Sequence, residues 1–411
     1  MTSHAQPRPD LAAPAPPAAD THRRRVDARY RHLLSLQDFE AAARRRLPRP
    51  IFGYVSGGVE DSLSLDDNRR VFSEYGFVPR FLVGVAERSA QTTLFGRTYA
   101  APFGIAPMGI VALSGYRGDI ALARAAAGAN IPMIISGSSL IPLEDIAAAG
   151  DRPWFQIYLP PDLARTDALI ERVARAGIDT LVVTVDVAVP GNRENNLRTG
   201  FSTPLRPSLR LAWDGLMRPR WLLGTFARTL LHHGMPHFEN SFATRGAPIV
   251  SRNVEREFSG RAHLDWSVIR HIRQRWHGPL IVKGLLDPAD VKLAVAAGAD
   301  GIIASNHGGR QLDTAISPLR TLPAMVTAAG DRPVMLDGGI RRGTDVMKAL
   351  ALGARHVFVG RPFNYATVHG EDGVAYAIRI LRDEIVRTMG ALGINTLAQM
   401  TADRLVPLPP R

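Results

Sequence analysis

LIVKGLLDPADVKLAVAAGADGIIASN, residues Leu280–Asn306, carries one complete unit of the architecture. A short β-branched run, LIVKG, gives way to an Ala-rich stretch of helical pattern, PADVKLAVAAGA, and then to a second apolar run, GIIASN. Apolar runs of four to six residues separated by a helical pattern are the mark of strand, helix and parallel strand. The same grammar extends in both directions. Downstream lie VMLDGG (Val334–Gly339) and VFVG (Val357–Gly360); upstream lie FGIAP (Phe103–Pro107), MIIS (Met133–Ser136), WFQIY (Trp154–Tyr158) and LVVTVD (Leu181–Asp186). Most of these eight runs are separated by roughly 20–30 residues, room for one helix and two loops, which predicts an α/β chain folded as a TIM (β/α)8 barrel. A doubly wound sheet would more often open with G-x-G-x-x-G after its first strand. Here MGIVALSG follows instead.

Nearly every run ends in a polar or ionisable side chain: Ser136, Gln156 and Tyr158, Thr184 and Asp186, Lys283, Ser305 and His307, Asp337, Arg361. Any one of these is most simply a cap or a surface charge. As a set they would converge on the C-terminal face of a barrel, where such folds carry their chemistry.

Outside the strands the chain divides into three regions. Residues 1–30, rich in Pro and Ala at their start, read as a disordered leader. They lack the apolar run of a secretory signal. Residues 31–411 form the barrel domain; within it Leu36, Phe39 and Ala43 have helical spacing, and Arg44, Arg45 and Arg46 stand where a helix C-terminus favours cations. The third region is an insertion. About 90 residues separate the fourth run from the fifth, far more than one helix needs, and 202–262 is basic and aromatic-rich. Its stretch 202–237 holds Arg206, Arg210, Arg218, Arg220 and Arg228 against the single acid Asp214, interleaved with Trp213, Trp221 and Phe226. Such a composition suits a segment lying on an anionic membrane surface, and equally an active-site lid or interface loop.

The 411 residues include 50 Lys and Arg against 38 Asp and Glu, a formal net charge of +12, and no Cys. Without thiols there is no disulfide scaffold, thiolate zinc site, cysteine-ligated iron–sulfur cluster or thiol nucleophile, and no metal site is expected. Apolar runs fall far short of the roughly 20 residues that span a bilayer. The basic excess lies mostly in residues 1–50 and 202–237. No nucleic-acid module accompanies it, so nucleic acid is not an expected partner.

Two motifs carry the chemistry. SNHGGRQLD (Ser305–Asp313) places a His base, two glycines that admit close approach, and Arg310, able to hold a carboxylate in bidentate fashion. DGGIRRGTD (Asp337–Asp345) and GRP (Gly360–Pro362) follow the seventh and eighth runs, where TIM barrels commonly bind phosphate. The residues alone therefore describe a phosphate-bearing ligand beside a site for an anionic organic acid. A phosphate-binding isomerase or lyase without flavin also fits that description.

The two motifs together resemble the FMN-dependent 2-hydroxy acid dehydrogenase and oxidase family, which includes glycolate oxidase, lactate oxidase and mandelate dehydrogenase. The resemblance runs from about Leu36 to about Val406. It implies a barrel with an N-terminal helical segment, FMN as cofactor, and oxidation of an L-2-hydroxy acid to the 2-oxo acid. It implies His307 as the base, Asp186 as the carboxylate that pairs with the imidazolium, Arg310 and Arg193 as holders of the substrate carboxylate, and Tyr54 and Tyr158 as contacts to carboxylate and hydroxyl. Lys283 would lie against the polar edge of the flavin; Pro107, Met108, Gly109, Ser136, Gln156 and Thr184 would meet the ring or ribityl chain. Ser305, Asp337, Gly338, Gly339, Arg341, Gly360 and Arg361 would complete the ribityl and phosphate site.

At Ser138 glycolate oxidase has a Trp and mandelate dehydrogenase a small residue, so an aryl or bulky substrate of mandelate or lactate type is favoured. Met108 stands where many relatives carry Thr. The insertion resembles that of mandelate dehydrogenase, where it attaches the enzyme to a membrane. By the same resemblance, residues 202–240 would meet a membrane surface and the acceptor would be a quinone, with dioxygen the alternative. A homotetramer is implied. The expected location is cytoplasmic, either free or peripheral on the inner face of the cell membrane.

Overall fold

The computed structural model describes residues 18–160, 162–251, 262 and 264–409. Eight parallel strands form one sheet: β1 (Phe103–Ile105), β2 (Ile134–Ser136), β3 (Trp154–Tyr158), β4 (Leu181–Thr184), β5 (Leu280–Leu285), β6 (Gly301–Ala304), β7 (Val334–Asp337) and β8 (His356–Val359). Their order is β1-β8-β7-β6-β5-β4-β3-β2. The bridge between Ile105 and Met133, with Ile105 N–H donating to Pro132 O at 2.9 Å, brings β1 against β2 and completes the ring. All eight expected runs are strands of a TIM barrel, their ends within two residues of the expected ones. The strands are buried on both faces, which is why they read as continuous apolar runs without alternation.

Inside the barrel Ile134, Trp154, Val182, Ile281, Ile303, Met335 and Phe358 form one packed layer. A hairpin of Thr92–Leu94 paired with Arg97–Tyr99 closes the end opposite the strand C-termini; its Leu94, Phe95 and Tyr99 join that layer. With this end plugged, the open mouth is at the C-terminal ends of the strands.

Around the barrel, helices occur where the Ala-rich patterns place them, including Gly118–Gly128 and Pro288–Ala296. The predicted helix Leu36–Arg46 is present and buries Leu36, Phe39 and Ala43. Asp38 accepts from the backbone N–H groups of Leu34 and Ser35 at 2.8 and 2.9 Å and so fixes its start. One expectation is corrected. The leader is not disordered to residue 30, because Ala18–Tyr30 is a helix whose Val26 and Tyr30 are buried. It is tied to the C-terminal helix Gly370–Leu392 by the Asp27–Arg379 ion pair. Residues 1–17 and the 252–261 part of the insertion lie outside the described residues.

Candidate active site

The mouth of the barrel opens into a cleft of about 420 Å³. Most of the predicted site residues line it: Tyr54, Pro107, Met108, Gly109, Ser138, Tyr158, Thr184, Arg193, Lys283, His307, Arg310, Asp337, Gly338, Gly339, Arg341, Gly360 and Arg361. Four others stand one layer behind. Asp186 backs His307, Ser305 backs Lys283, and Ser136 and Gln156 face each other from paired positions of β2 and β3.

The loop after β6 sets the centre. His307, Gly308 and Gly309 all adopt left-handed backbone, with φ of 56°, 65° and 73°. Such a conformation is costly for His and free for Gly, so the loop must be held by its surroundings. Gly309 has no alternative in any case, because a Cβ there would sit 2.5 Å from Leu65 N. Asn306 and Asn68 exchange amide hydrogen bonds at 2.8 and 2.9 Å, and Asn306 Oδ1 also accepts from Gly309 N–H at 3.1 Å. Ser305 Oγ accepts from the His307 N–H at 3.0 Å and from Lys283 Nζ at 2.8 Å.

His307 Nδ1 and Asp186 Oδ1 are 2.9 Å apart, which leaves Nε2 for the cleft. Burial pushes the imidazole below its ordinary pKa against the pull of Asp186, and the positive charges of Lys283 and Arg193 push the same way. Burial alone would raise the Asp186 carboxyl; the charge and hydrogen bond of His307, with Lys283 behind, hold it below its usual value. The pair at rest is thus a neutral His oriented by an ionised Asp, the form a general base requires.

Three arginines sit at the mouth, Arg341 buried and Arg310 and Arg361 half-buried. Burial and neighbouring positive charge lower Arg310 and Arg341 to about 10 and Arg361 to about 9. Their donors go to backbone: Arg310 to Tyr54 O and Gly57 O at 2.7 and 2.9 Å, Arg361 to Val55 O and Gly57 O at 3.0 Å each, and Arg341 to Ile340 O at 2.9 Å. Arg193 donates to Arg310 O and to Gln311 Oε1. Lys283 pairs with Asp337 at 2.9 Å.

Several buried polar atoms around the cleft have no hydrogen-bond partner: Gln156 Nε2, Thr184 Oγ1, Asp337 Oδ1, Asn364 Oδ1, Tyr365 Oη and Arg310 Nη2. Buried polar groups are ordinarily satisfied. Donors, acceptors and uncompensated cations aimed at one cleft fit a large ligand that is polar along its length and anionic at one end, as a flavin mononucleotide is. Asn364 and Tyr365 were not among the residues read from sequence, although only Phe363 separates them from the GRP motif. Phe201 and Phe238 also line the cleft; neither was among the site residues read from sequence.

A flavin-binding barrel of this kind is matched along the chain. Residues 43–407 fit the FMN-dependent dehydrogenase family, and the protein belongs to that family, with FMN its cofactor. It is 37% identical to (S)-mandelate dehydrogenase of Pseudomonas putida over 91% of this chain and 94% of that protein. It is 39% identical to an L-lactate dehydrogenase of Azorhizobium caulinodans over 91% and 99% of the respective chains. Among solved structures, the monotopic membrane protein (S)-mandelate dehydrogenase superposes with a TM-score of 0.83 at 37% identity, covering 92% of this chain and all of the other.

Proposed function

We propose that this enzyme oxidises an L-2-hydroxy acid with an aryl or other bulky 2-substituent to the 2-oxo acid and hands the electrons to a membrane quinone. The observation that carries the reading is that a neutral, Asp-oriented His307 and the half-buried cation Arg310, its Nη2 without a partner, line one cleft. FMN, when bound, supplies a two-electron acceptor.

The chain's own residues do the rest. His307 Nε2 takes the proton released on oxidation, and Asp186 stabilises the imidazolium. Arg310 Nη2, buried and without a partner, and Arg193 hold the substrate carboxylate, because a carboxylate is the small anion a guanidinium fork matches. Tyr54 and Tyr158 flank it, Tyr158 with its ring 6.4 Å from that of His307. Gln156, Thr184, Lys283, Asp337 and Asn364 would hold the ring and ribityl chain, and Arg341 and Arg361 the phosphate. Ser138 lines the cleft next to Gly109, and its small side chain, in place of a bulky one, favours a large substituent. The relatives named above act on mandelate and lactate, both 2-hydroxy acids.

The insertion supports the quinone. Its helix Leu209–Leu216 points Leu209, Trp213 and Leu216 into solvent at positions one and two turns apart, and Leu223 and Leu231 continue the apolar surface. No helix among the described residues is long and apolar enough to cross a membrane. An apolar face with basic residues around it suits a segment seated in a bilayer interface.

The test is an anaerobic panel of 2-hydroxy acids, following loss of the oxidised-flavin absorbance. Mandelate should bleach the flavin fastest and glycolate slowest. Equal rates would remove the size argument, and no bleaching by any of them would remove the reading. Admitting oxygen then separates acceptors, since rapid reoxidation would mean a dioxygen-using oxidase.

A further inference from the structure

The helix Arg49–Ser56 carries Tyr54, and the carbonyls of Tyr54, Val55 and Gly57 at its C-terminal end take the guanidiniums of Arg310 and Arg361. A helix C-terminus is the negative end of its dipole and a natural seat for cations. Two arginines of the cleft are therefore aimed by a helix that lies outside the barrel, and they are aimed well only if that helix stays put.

What holds it is the start of the insertion. The short helix Glu194–Thr199 lies across Arg49–Ser56. Asn195 Nδ2 donates to Gly53 O at 2.7 Å, and Arg49 donates to Arg198 O at 3.0 Å. The fit leaves no slack: a Cβ on Gly53 would meet Thr199 Oγ1 at 2.4 Å, and one on Gly57 would meet Asn195 Nδ2 at the same distance. Beyond the helix, Phe201 stacks on Tyr54 with ring centroids 4.4 Å apart, while the Arg310 guanidinium lies over the same tyrosine ring at 4.8 Å. Phe201 is buried, and the strap formed by residues 194–205 is pinned at its far end by Leu205, whose N–H donates to Ile249 O at 2.6 Å.

We propose that Asn195 and Phe201 are positioning residues for substrate binding: they lock the helix that presents Tyr54 and seats Arg310. The inference rests on the assignment of Tyr54 and Arg310 to the substrate. Phe201 also lines the cleft, but Asn195 does not, so any effect of Asn195 on binding is transmitted through the helix.

The holoenzyme with benzoylformate, a 2-oxo acid, as titrant tests this. Asn195→Ala and Phe201→Ala should each weaken benzoylformate binding and raise KM for mandelate by about three- to tenfold, the scale of one lost hydrogen bond or ring contact, with kcat changed much less. Phe201→Leu, which keeps bulk, should fall between wild type and Phe201→Ala. In a Tyr54→Ala background the Asn195→Ala effect should shrink, since coupled residues do not add. Deuterium exchange of residues 49–57 should quicken in Asn195→Ala with or without ligand. Unchanged exchange in that segment, or full additivity with Tyr54→Ala, would overturn the proposal. If wild type binds no 2-oxo acid the substrate assignment fails, and exchange still decides whether the strap locks the helix.

Discussion

At the barrel mouth Arg341 is buried and Arg310 and Arg361 are half-buried, with no carboxylate paired to any of the three, whereas on the insertion Leu209, Trp213 and Leu231 stand 93%, 63% and 84% exposed. Soluble proteins avoid both arrangements, since buried charges are normally paired and large apolar side chains normally covered. The two regions break the rule in opposite directions, and each tells what completes it. An anionic ligand would satisfy the cations at the mouth; an apolar medium would satisfy the leucines outside it. The anchors differ accordingly. The arginines are fixed by backbone carbonyls on several elements, while the insertion is held by its opposite side, where Trp221 is buried and donates to Leu113 O at 2.6 Å.

The contrast is broken most severely at the base. His307→Gln should keep the flavin and lower turnover by about 10²- to 10⁴-fold, the usual worth of a general base. Stopped-flow reduction of the variant's flavin measures it, and near-wild-type reduction would end the assignment. Next in size is Arg361→Met. Losing a charge-assisted contact to phosphate should weaken FMN binding by roughly 10- to 100-fold. The same change removes a half-buried cation with no anionic partner but also the donors to Val55 O and Gly57 O, two opposing effects, so the apoprotein Tm should change little. A large drop in apoprotein Tm would show that Arg361 is satisfied without ligand, and the first half of the comparison would fail.

On the insertion, Leu209→Ser with Leu231→Ser should release the protein from anionic vesicles. Each leucine contributes about 2 kcal/mol at most when fully buried, less at an interface, so a shift of about tenfold or more in the bound fraction is expected. Turnover with a soluble acceptor should not change, because neither residue touches the cleft. Equal sedimentation of variant and wild type with vesicles would recast the exposed leucines as a contact between proteins.

How legible each region was from sequence follows from where its information resides. The eight strands were readable because double burial forces unbroken apolar runs, and their polar ends were readable because the barrel places all C-termini on one face. Which of those ends reach the cleft was not readable. Gln156 and Ser136 sit behind its wall and Thr184 on it, a distinction made by strand stagger and not by residue type. The helix Ala18–Tyr30 was missed for a related reason. Its arginine-rich sequence has little amphipathic pattern, and it is held by the tertiary contacts of Val26, Tyr30 and Asp27 with the rest of the chain. The roles of Asn195 and Phe201 were not readable, since their partners lie some 140 residues away and only the fold brings them together.

The smallest effect sharpens the comparison through pH. His307 must be neutral to accept a proton, and burial with neighbouring cations lowers its pKa in spite of Asp186. The acid limb of kcat/KM should therefore lie below the ordinary histidine value of about 6.5, falling about tenfold per unit beneath it, with a plateau above. Stability moves in the same sense. A histidine whose folded pKa is lowered binds its proton more readily when unfolded, so the folded state loses ground as pH falls through the range between the two values. Asp186, also lowered, contributes stability that disappears only at still more acid pH. Kinetic and melting profiles measured together should thus decline on the same side. An acid limb above the ordinary value would mean that the attraction of Asp186 outweighs desolvation at His307, and the cleft would then be more open to water than its buried and half-buried arginines imply.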